Sequence, residues 1–403
     1  MGLLRSSLRI LIVLPVRYPG GSAAANRMQK IARALRETGN VAKILAAGSP
    51  GENTPPNQWL RDEFSIDYRL VSSISARNPL KRLRDFMGES RLAAEADSWL
   101  RLGSFDCVFL YGQSWKEYSR LMRSCKTNCV PVIPDCTEWH NFNWDKMSFN
   151  FWTNQNLFRL LLLRKASGVV AISTYWEHYA EKLKKPVLLL PALGEAHAVA
   201  ENEPAISANG EFEIVYVGGM APRDLPLTLV EGLRIARSKG VAVRLCLIGK
   251  PMESQVWRNL QRMLCEDSNI RPYIEITGWV SEAELRKRMQ RAAALVLLRP
   301  DSRETRACFP TRLPEYLLTG NPVIISDVGD IALYFTHKEN AWLLPPGDQP
   351  EALADAFITL ISNSELARGI GSAGKKTAIA RFGYVAHAHR LAGFLSRIIN
   401  TPR

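Results

Sequence analysis

Short, almost unbroken apolar runs recur along the chain. Each is closed by turn residues and followed by a stretch whose apolar positions have helical spacing. The first run is Leu8-Arg9-Ile10-Leu11-Ile12-Val13-Leu14. Such a run predicts a parallel strand covered on both faces. Pro19-Gly20-Gly21-Ser22 breaks it, and Ala23 to Leu35 then puts Met28, Ile31, Ala32 and Leu35 on one helical stripe. Further strands are predicted at 41–47, 107–111, 130–134, 168–173 and 187–190.

Residues 194–210 lose this periodicity and are small and polar, which predicts a linker. A second series of strands then follows at 214–217, 241–248, 273–276, 294–298, 322–325 and 342–344. Alternating strands and helices in two blocks predict an α/β protein with two doubly wound, Rossmann-like domains, 1–193 and 211–383. A last helical pattern, within 384–403, is expected to pack back on the first domain. Ligands of such sheets bind at the carboxyl ends of the strands, so the cleft between two such domains is the expected site.

The 403 residues carry 46% hydrophobic and 23% charged side chains, which excludes a mainly disordered chain, a collagen and a coiled coil. The net charge of +13 is uneven: residues 1–200 hold 27 basic and 17 acidic groups. That field favours anionic partners. No zinc-finger spacing, helix-turn-helix or RNP-like motif accompanies it, so nucleic acid is not the expected partner. The seven cysteines show no metal spacing and are expected to be reduced thiols of a cytoplasmic protein. The run at Leu8 is too short for a signal peptide and the run Leu157–Leu163 too short to span a bilayer, so a soluble or peripheral protein is expected.

The most informative stretch is Cys308-Phe309-Pro310-Thr311-Arg312-Leu313-Pro314-Glu315-Tyr316-Leu317-Leu318-Thr319-Gly320. It reads as a helix starting near Thr311 and capped at Gly320, followed by a strand from Pro322. Free N–H groups and the helix dipole at its start attract phosphate, and Arg312 adds a full charge. Glu315, on the same face as Thr311, can accept from a ribose diol. The combination suits a nucleoside diphosphate; Pro310 and Glu315 are equally what an ordinary helix start requires.

This stretch resembles the donor-nucleotide segment of the family 4 glycosyltransferases of the GT-B fold. Gly20-Gly21, Asp135-Cys136-Thr137-Glu138-Trp139-His140, Ala171-Ile172-Ser173, Val217-Gly218-Gly219, Ile248-Gly249, Ile276-Thr277-Gly278-Trp279-Val280 and Leu344-Pro345-Pro346-Gly347-Asp348 agree in order and spacing. The resemblance implies a retaining transferase that moves a sugar from a nucleotide-diphosphate donor to an acceptor hydroxyl. It implies no metal and no further cofactor, in keeping with the lack of an Asp-x-Asp pair. Fixed positive groups must then meet the charge of the departing diphosphate.

By that resemblance the donor is held by Gly20, Gly21, Gly218, Gly219, Arg223, Arg299, Phe309, Pro310, Thr311, Arg312 and Glu315. Lys250 is more readily a surface residue. The sequence departs from the family twice: Gly219 stands where an Arg is usual, and Ala307 where the first of two Glu residues is usual. In the first domain Asp135, Glu138 and His140 follow a strand and are the candidate catalytic groups, able to take the acceptor proton. His387 and His389 are expected on the surface of the last helix.

Two further stretches invite a partner. Residues 77–91 interleave Arg77, Lys81, Arg82, Arg84 and Arg91 with apolar residues, as a helix lying on an anionic membrane would. The aromatic stretch 139–152 would bind an acceptor sugar or lipid, or form core. The combined expectation is a metal-independent glycosyltransferase at the inner face of the cell membrane, acting on a glycan or lipid-linked acceptor in cell-surface polysaccharide synthesis. A non-catalytic nucleotide- or glycan-binding scaffold and a nucleotide-sugar epimerase are the alternatives.

Overall fold

The computed structural model describes residues 7–20, 22–48, 58–71, 91–112, 115–140, 156–195 and 210–401. The basic stretch 77–91 lies outside them apart from the backbone of Arg91, as do Gly21 and residues 141–155 of the aromatic stretch. The chain divides into two compact units, Met1–Leu193 with Tyr384–Arg403, and Gly194–Gly383.

The first unit is built on eight strands: β1 (Arg9–Leu14), β2 (Val41–Ala47), β3 (Leu60–Arg61), β4 (Asp67–Val71), β5 (Cys107–Tyr111), β6 (Val132–Cys136), β7 (Val169–Ala171) and β8 (Val187–Leu189). Their order is β3-β4-β2-β1-β5-β6-β7-β8. β3 and β4 are antiparallel; β1 runs parallel to both its neighbours, and β5 to β8 run parallel to one another. Five consecutive residues of β1 are fully buried, as its apolar run requires. Helices α1 (Ala23–Glu37), α2 (Arg91–Arg101), α3 (Trp115–Thr127) and α4 (Thr174–Lys182) link the strands. α1 starts where Ser22 Oγ accepts the Ala25 N–H at 3.1 Å. It buries Met28, Ile31 and Leu35 against the sheet.

The second unit has six parallel strands: β9 (Phe212–Val217), β10 (Val243–Ile248), β11 (Ile274–Gly278), β12 (Ala294–Leu297), β13 (Val323–Ser326) and β14 (Trp342–Leu344). Their order is β11-β10-β9-β12-β13-β14. Successive strands are added to one side as far as β11 and to the other from β12 on, so the strand order reverses between β9 and β12, the position where doubly wound sheets open a ligand crevice. Its helices are α5 (Pro226–Ser238), α6 (Gln255–Glu266), α7 (Glu282–Arg291), α8 (Arg303–Ala307), α9 (Leu313–Leu318), α10 (Pro350–Ser362) and α11 (Ser364–Phe382). The last helix, α12 (Tyr384–Asn400), returns to the first unit. There Leu391, Phe394, Leu395 and Ile398 join the core around β1 and α1.

Three local expectations change. β6 runs two residues further than its sequence suggests, so Asp135 pairs in the ladder with Val170 instead of following the strand. α9 begins at Leu313, with Arg312 as its first flanking residue, because the chain still turns at 311–312. His387 is buried on the inner side of α12, while His389 is exposed. Gly320 does terminate the α9 segment, at φ +82° with its N–H on Leu317 O at 3.0 Å.

Candidate functional site

At the reversal point of the second sheet the chain leaves β9 through Gly218-Gly219-Met220-Ala221 and the single 3₁₀ turn Pro222–Asp224. Gly218 is required: a Cβ there would lie 2.2 Å from the Tyr216 hydroxyl oxygen. Gly249, at φ +129°, would put a Cβ 2.3 Å from Gly218 O, so the loops after β9 and β10 meet backbone to backbone. Gly219 is different, because the nearest atom to its Cβ position is Lys250 O at 3.8 Å. A side chain would fit there.

Met220 and Leu225 both take left-handed conformations, φ 49° and 48°, uncommon for residues with a side chain. Met220 is fully buried and its N–H donates to the Tyr216 hydroxyl at 3.1 Å. Asp224 is 5% exposed and accepts the Ala221 N–H at 2.9 Å. It also accepts from Arg299 Nη1, so the loop after β9 is tied to the residue that follows β12. Burial, then the Asp224 carboxylate, pushes the Tyr216 hydroxyl well above its ordinary range, so it stays a neutral hydrogen-bonding group. Arg223 is exposed and makes no polar contact among the described residues. Lys250 is exposed as well.

The donor-like segment is anchored to the same strand end. The Tyr316 hydroxyl, buried on α9, accepts the Val217 N–H at 2.7 Å. Ahead of it, Leu313 N–H already bonds to Pro310 O at 3.1 Å, and Pro314 has no N–H, so the first turn offers fewer free donors than an ordinary helix start. Arg312 Nη1 lies 2.7 Å from a Glu315 carboxylate oxygen, one turn along, with both side chains part-exposed. Thr311 and Pro310 are half-buried beside them. Phe309 departs from its expected role. Its ring is 2% exposed and packs on Tyr334 and Phe382 with centroids 5.5 and 5.4 Å away, so only its backbone is free to meet a ligand. Ala307 is fully buried at the end of α8, which starts with reciprocal Ser302–Thr305 capping.

In the first unit Asp135 is 0% exposed. Its two oxygens accept from Arg27 of α1 at 2.7 and 2.9 Å, and the same guanidinium donates to Pro191 O and Leu190 O. A carboxylate held this way joins β6, α1 and the chain after β8; buried and with both oxygens on Arg27, it is closed to a substrate. Glu138 and His140 are nearer solvent, with His140 Nε2 3.5 Å from Glu138 Oε2. Beside them, at the end of β5, burial and then Glu138 push the Tyr111 hydroxyl up to about 12. An imidazole backed by a carboxylate is suited to accept a proton and to be stabilised once charged. Gly20 is exposed after β1 with room for a side chain, its nearest neighbour being Arg17 O at 3.5 Å.

Trp139 packs edge to face on Tyr175 and Tyr179, and the Arg159 guanidinium covers its ring at 3.7 Å. Elsewhere, Glu213, Cys246 and Glu275 bring ligand atoms within 4.8 Å of one another. The group does not suit a metal. Arg288 already donates to Cys246 Sγ at 3.1 Å and pairs with Glu275 at 3.0 Å, and burial foremost pushes the Cys246 thiol up to about 12.

Reading the sequence missed Arg27, Asp224 and Tyr316. Arg27 had a signal: it shares the buried stripe of α1 with Ile31, four residues on. Nothing in the local pattern sets Asp224 or Tyr316 apart, because their partners lie 75 and 99 residues away.

Residues 211–363 match the family model described as Glycosyl transferases group 1. Among curated proteins no sequence matches the chain. Solved structures of similar fold include Anabaena HepE in complex with UDP-glucose, with a TM-score of 0.69 at 17% identity over 96% of this chain and 99% of that one. Sucrose-phosphate synthase from Thermosynechococcus elongatus gives 0.70 at 16% identity, over 97% and 99%. The lipopolysaccharide outer core galactosyltransferase WaaB, in its apo form, gives 0.63 at 16%, over 96% and 99%. The chain thus has the fold of the GT-B glycosyltransferases, and within its second unit residues 211–363 match the glycosyl transferases group 1 family.

Proposed function

We propose that the protein is a retaining glycosyltransferase that uses a nucleotide-diphosphate sugar, with a uridine nucleotide as the first donor to test. One observation carries the reading. The loop 218–225, Arg299 and the Arg312–Glu315 turn all gather around the carboxyl end of β9, held by the Tyr316–Val217 and Arg299–Asp224 contacts, within the segment that matches the family. That HepE was solved with UDP and with UDP-glucose on the same fold supports the choice of nucleotide.

Arg223 is the exposed cation of this group; Arg312 is shared with Glu315. In the proposed reaction Glu315 accepts from the ribose hydroxyls, while Thr311, Arg312 and Arg223 face the diphosphate. The bond between the sugar C1 and the diphosphate oxygen breaks with its electron pair moving to the diphosphate. The acceptor oxygen bonds to C1 on the same face, and its proton passes to the His140–Glu138 pair. The growing negative charge meets guanidinium groups already in place, so no metal is required for charge balance. Preorganised donors of this kind are worth about 10²–10³ in turnover each. The acceptor class is a glycan or glycolipid of the cell surface, used at the cytoplasmic face of the membrane.

Ala307 and Gly219 favour a second reading. Without the usual Glu and Arg at those positions, a scaffold that binds a nucleotide without chemistry, or an epimerase, is the rival. Screening nucleotide diphosphates and nucleotide sugars by thermal stabilisation, then following UDP release from UDP-glucose with and without acceptor, separates them. Binding without UDP release favours the scaffold, and a changed sugar with no acceptor favours the epimerase. No stabilisation by any nucleotide defeats the transferase, the epimerase and the nucleotide-binding scaffold, and leaves only a scaffold that binds glycan.

A further inference from the structure

Between β6 and β7 the chain forms a short π-helical turn, Phe158–Leu162, and a 3₁₀ turn, Leu163–Lys165. Phe158, Leu162 and Leu163 are buried in the first unit, but Leu160 and Leu161 are 53% and 44% exposed. Among the described residues they are the one pair of large hydrophobic side chains adjacent in sequence and this exposed. Arg164 and Lys165 follow them, both exposed.

The tertiary structure adds cations from elsewhere in the chain. Val169 N–H donates to Pro186 O at 2.8 Å, so Lys184 and Lys185 sit beside the start of β7. Gly168 faces Ile398 and Phe394 of α12; a Cβ there would come within 2.3 Å of Ile398 Cδ1, which brings the exposed Arg397 to the same edge. Arg164, Lys165, Lys184, Lys185 and Arg397 thus converge on the amino ends of β7 and β8. The Lys185 N–H donates to Ala180 O at 3.1 Å, so the last turn of α4, with Glu181 and Lys182, ends at the same edge.

We propose that this edge, Leu160–Leu161 with its surrounding cations, docks the protein on an anionic bilayer surface. Two exposed leucines with Arg164 and Lys165 one turn on, and further cations at the strand edge beyond them, match both layers of such a surface: the aliphatic side chains enter the acyl boundary and the cations remain among the phosphates. A soluble polyanion would use the cations but has nothing for the leucines. The cations lie at the amino ends of β7 and β8, the opposite end of the parallel sheet from the strand end that Glu138 and His140 follow, while Arg159, next to Leu160, reaches Trp139 between those two residues. Docking is read on vesicles and the nucleotide site by the response to UDP, so the two can be tested apart, and the inference does not rest on the transferase reading.

The test is cosedimentation of the full chain with vesicles of phosphatidylcholine alone or mixed with phosphatidylglycerol, at low and high salt. The expected result is binding to the mixed vesicles only, weakened by salt. The double variant Arg164→Glu/Lys165→Glu should lower partitioning about tenfold or more, and Leu160→Ser/Leu161→Ser by a similar factor. Both variants should keep the wild-type circular dichroism and the wild-type response to UDP, which shows that folding and the nucleotide site are untouched. Unchanged partitioning in either variant overturns the proposal, as does absence of vesicle binding by the wild type. Retention on heparin unaffected by the leucine variant, without vesicle binding, would make the edge a polyanion site. A dimer of the wild type that the leucine variant dissociates would make it a self-association face. Either result also overturns the proposal.

Discussion

Arg312 and Glu315 face each other across one turn, guanidinium to carboxylate at 2.7 Å, at the entrance to α9. The two residues expected to hold opposite ends of a nucleotide therefore hold each other first, and a ligand must separate them. Part-exposed as both are, the pair itself is worth about 1 kcal/mol or less, which a diphosphate can readily replace. The two roles are separable with ligand fragments. Glu315→Ala should weaken uridine by about tenfold or more while leaving inorganic pyrophosphate unharmed, since it frees Arg312. Arg312→Ala should do the reverse. Calorimetric titration of both fragments against both variants checks this; equal losses for both fragments would refute the division of labour.

Gly218 and Gly219 are neighbours with opposite constraints. Gly218→Ala forces a Cβ to within 2.2 Å of the Tyr216 hydroxyl oxygen and should cost about 1–3 kcal/mol of stability. Gly219→Ala meets only ordinary contact and should unfold within about 0.5 kcal/mol of the wild type. Urea denaturation of the two variants provides the comparison. Gly219→Arg, which restores the cation usual at that position, should tighten UDP binding several-fold; weaker binding would show that the loop is not facing a diphosphate.

Asp135 and the Glu138–His140 pair are separated by the same logic. Asp135→Asn leaves the buried Arg27 guanidinium without its counter-charge, and breaking such a pair typically costs about 3–5 kcal/mol. The expected result is a large fall in thermal midpoint. His140→Ala should leave the midpoint nearly unchanged, because its side chain is part-exposed, and lower turnover by about 10²–10⁴ if it takes the acceptor proton. A turnover loss in Asp135→Asn without any loss of stability would restore that residue as a candidate base.

Tyr316→Phe removes a hydroxyl that satisfies the Val217 N–H at the end of β9. A buried amide left without a partner costs about 1–3 kcal/mol. The same change loosens α9 against β9, so donor affinity should fall together with stability, although the ring is buried. Stability lost with donor affinity intact would show that α9 does not depend on this anchor for its position.

Two alternating series of apolar runs were enough to foresee parallel α/β sheets, because strands covered on both faces are apolar almost without interruption and helices between them are not. Gly320 and Ser22 were legible for a similarly local reason: a left-handed cap needs glycine, and a helix start needs a side-chain acceptor. What no local pattern could decide is which polar residues would meet. Asp135 sits in the ladder and not beyond it because β6 extends to Cys136, and its partner Arg27 comes from α1, 108 residues earlier. Arg299 gives its charge to Asp224, and Phe309 gives its ring to Tyr334 and Phe382, through contacts that exist only once the sheet has closed. Periodicity is written in neighbouring residues and so determines the elements. Charge pairing depends on distances between residues far apart in the chain, which folding alone establishes.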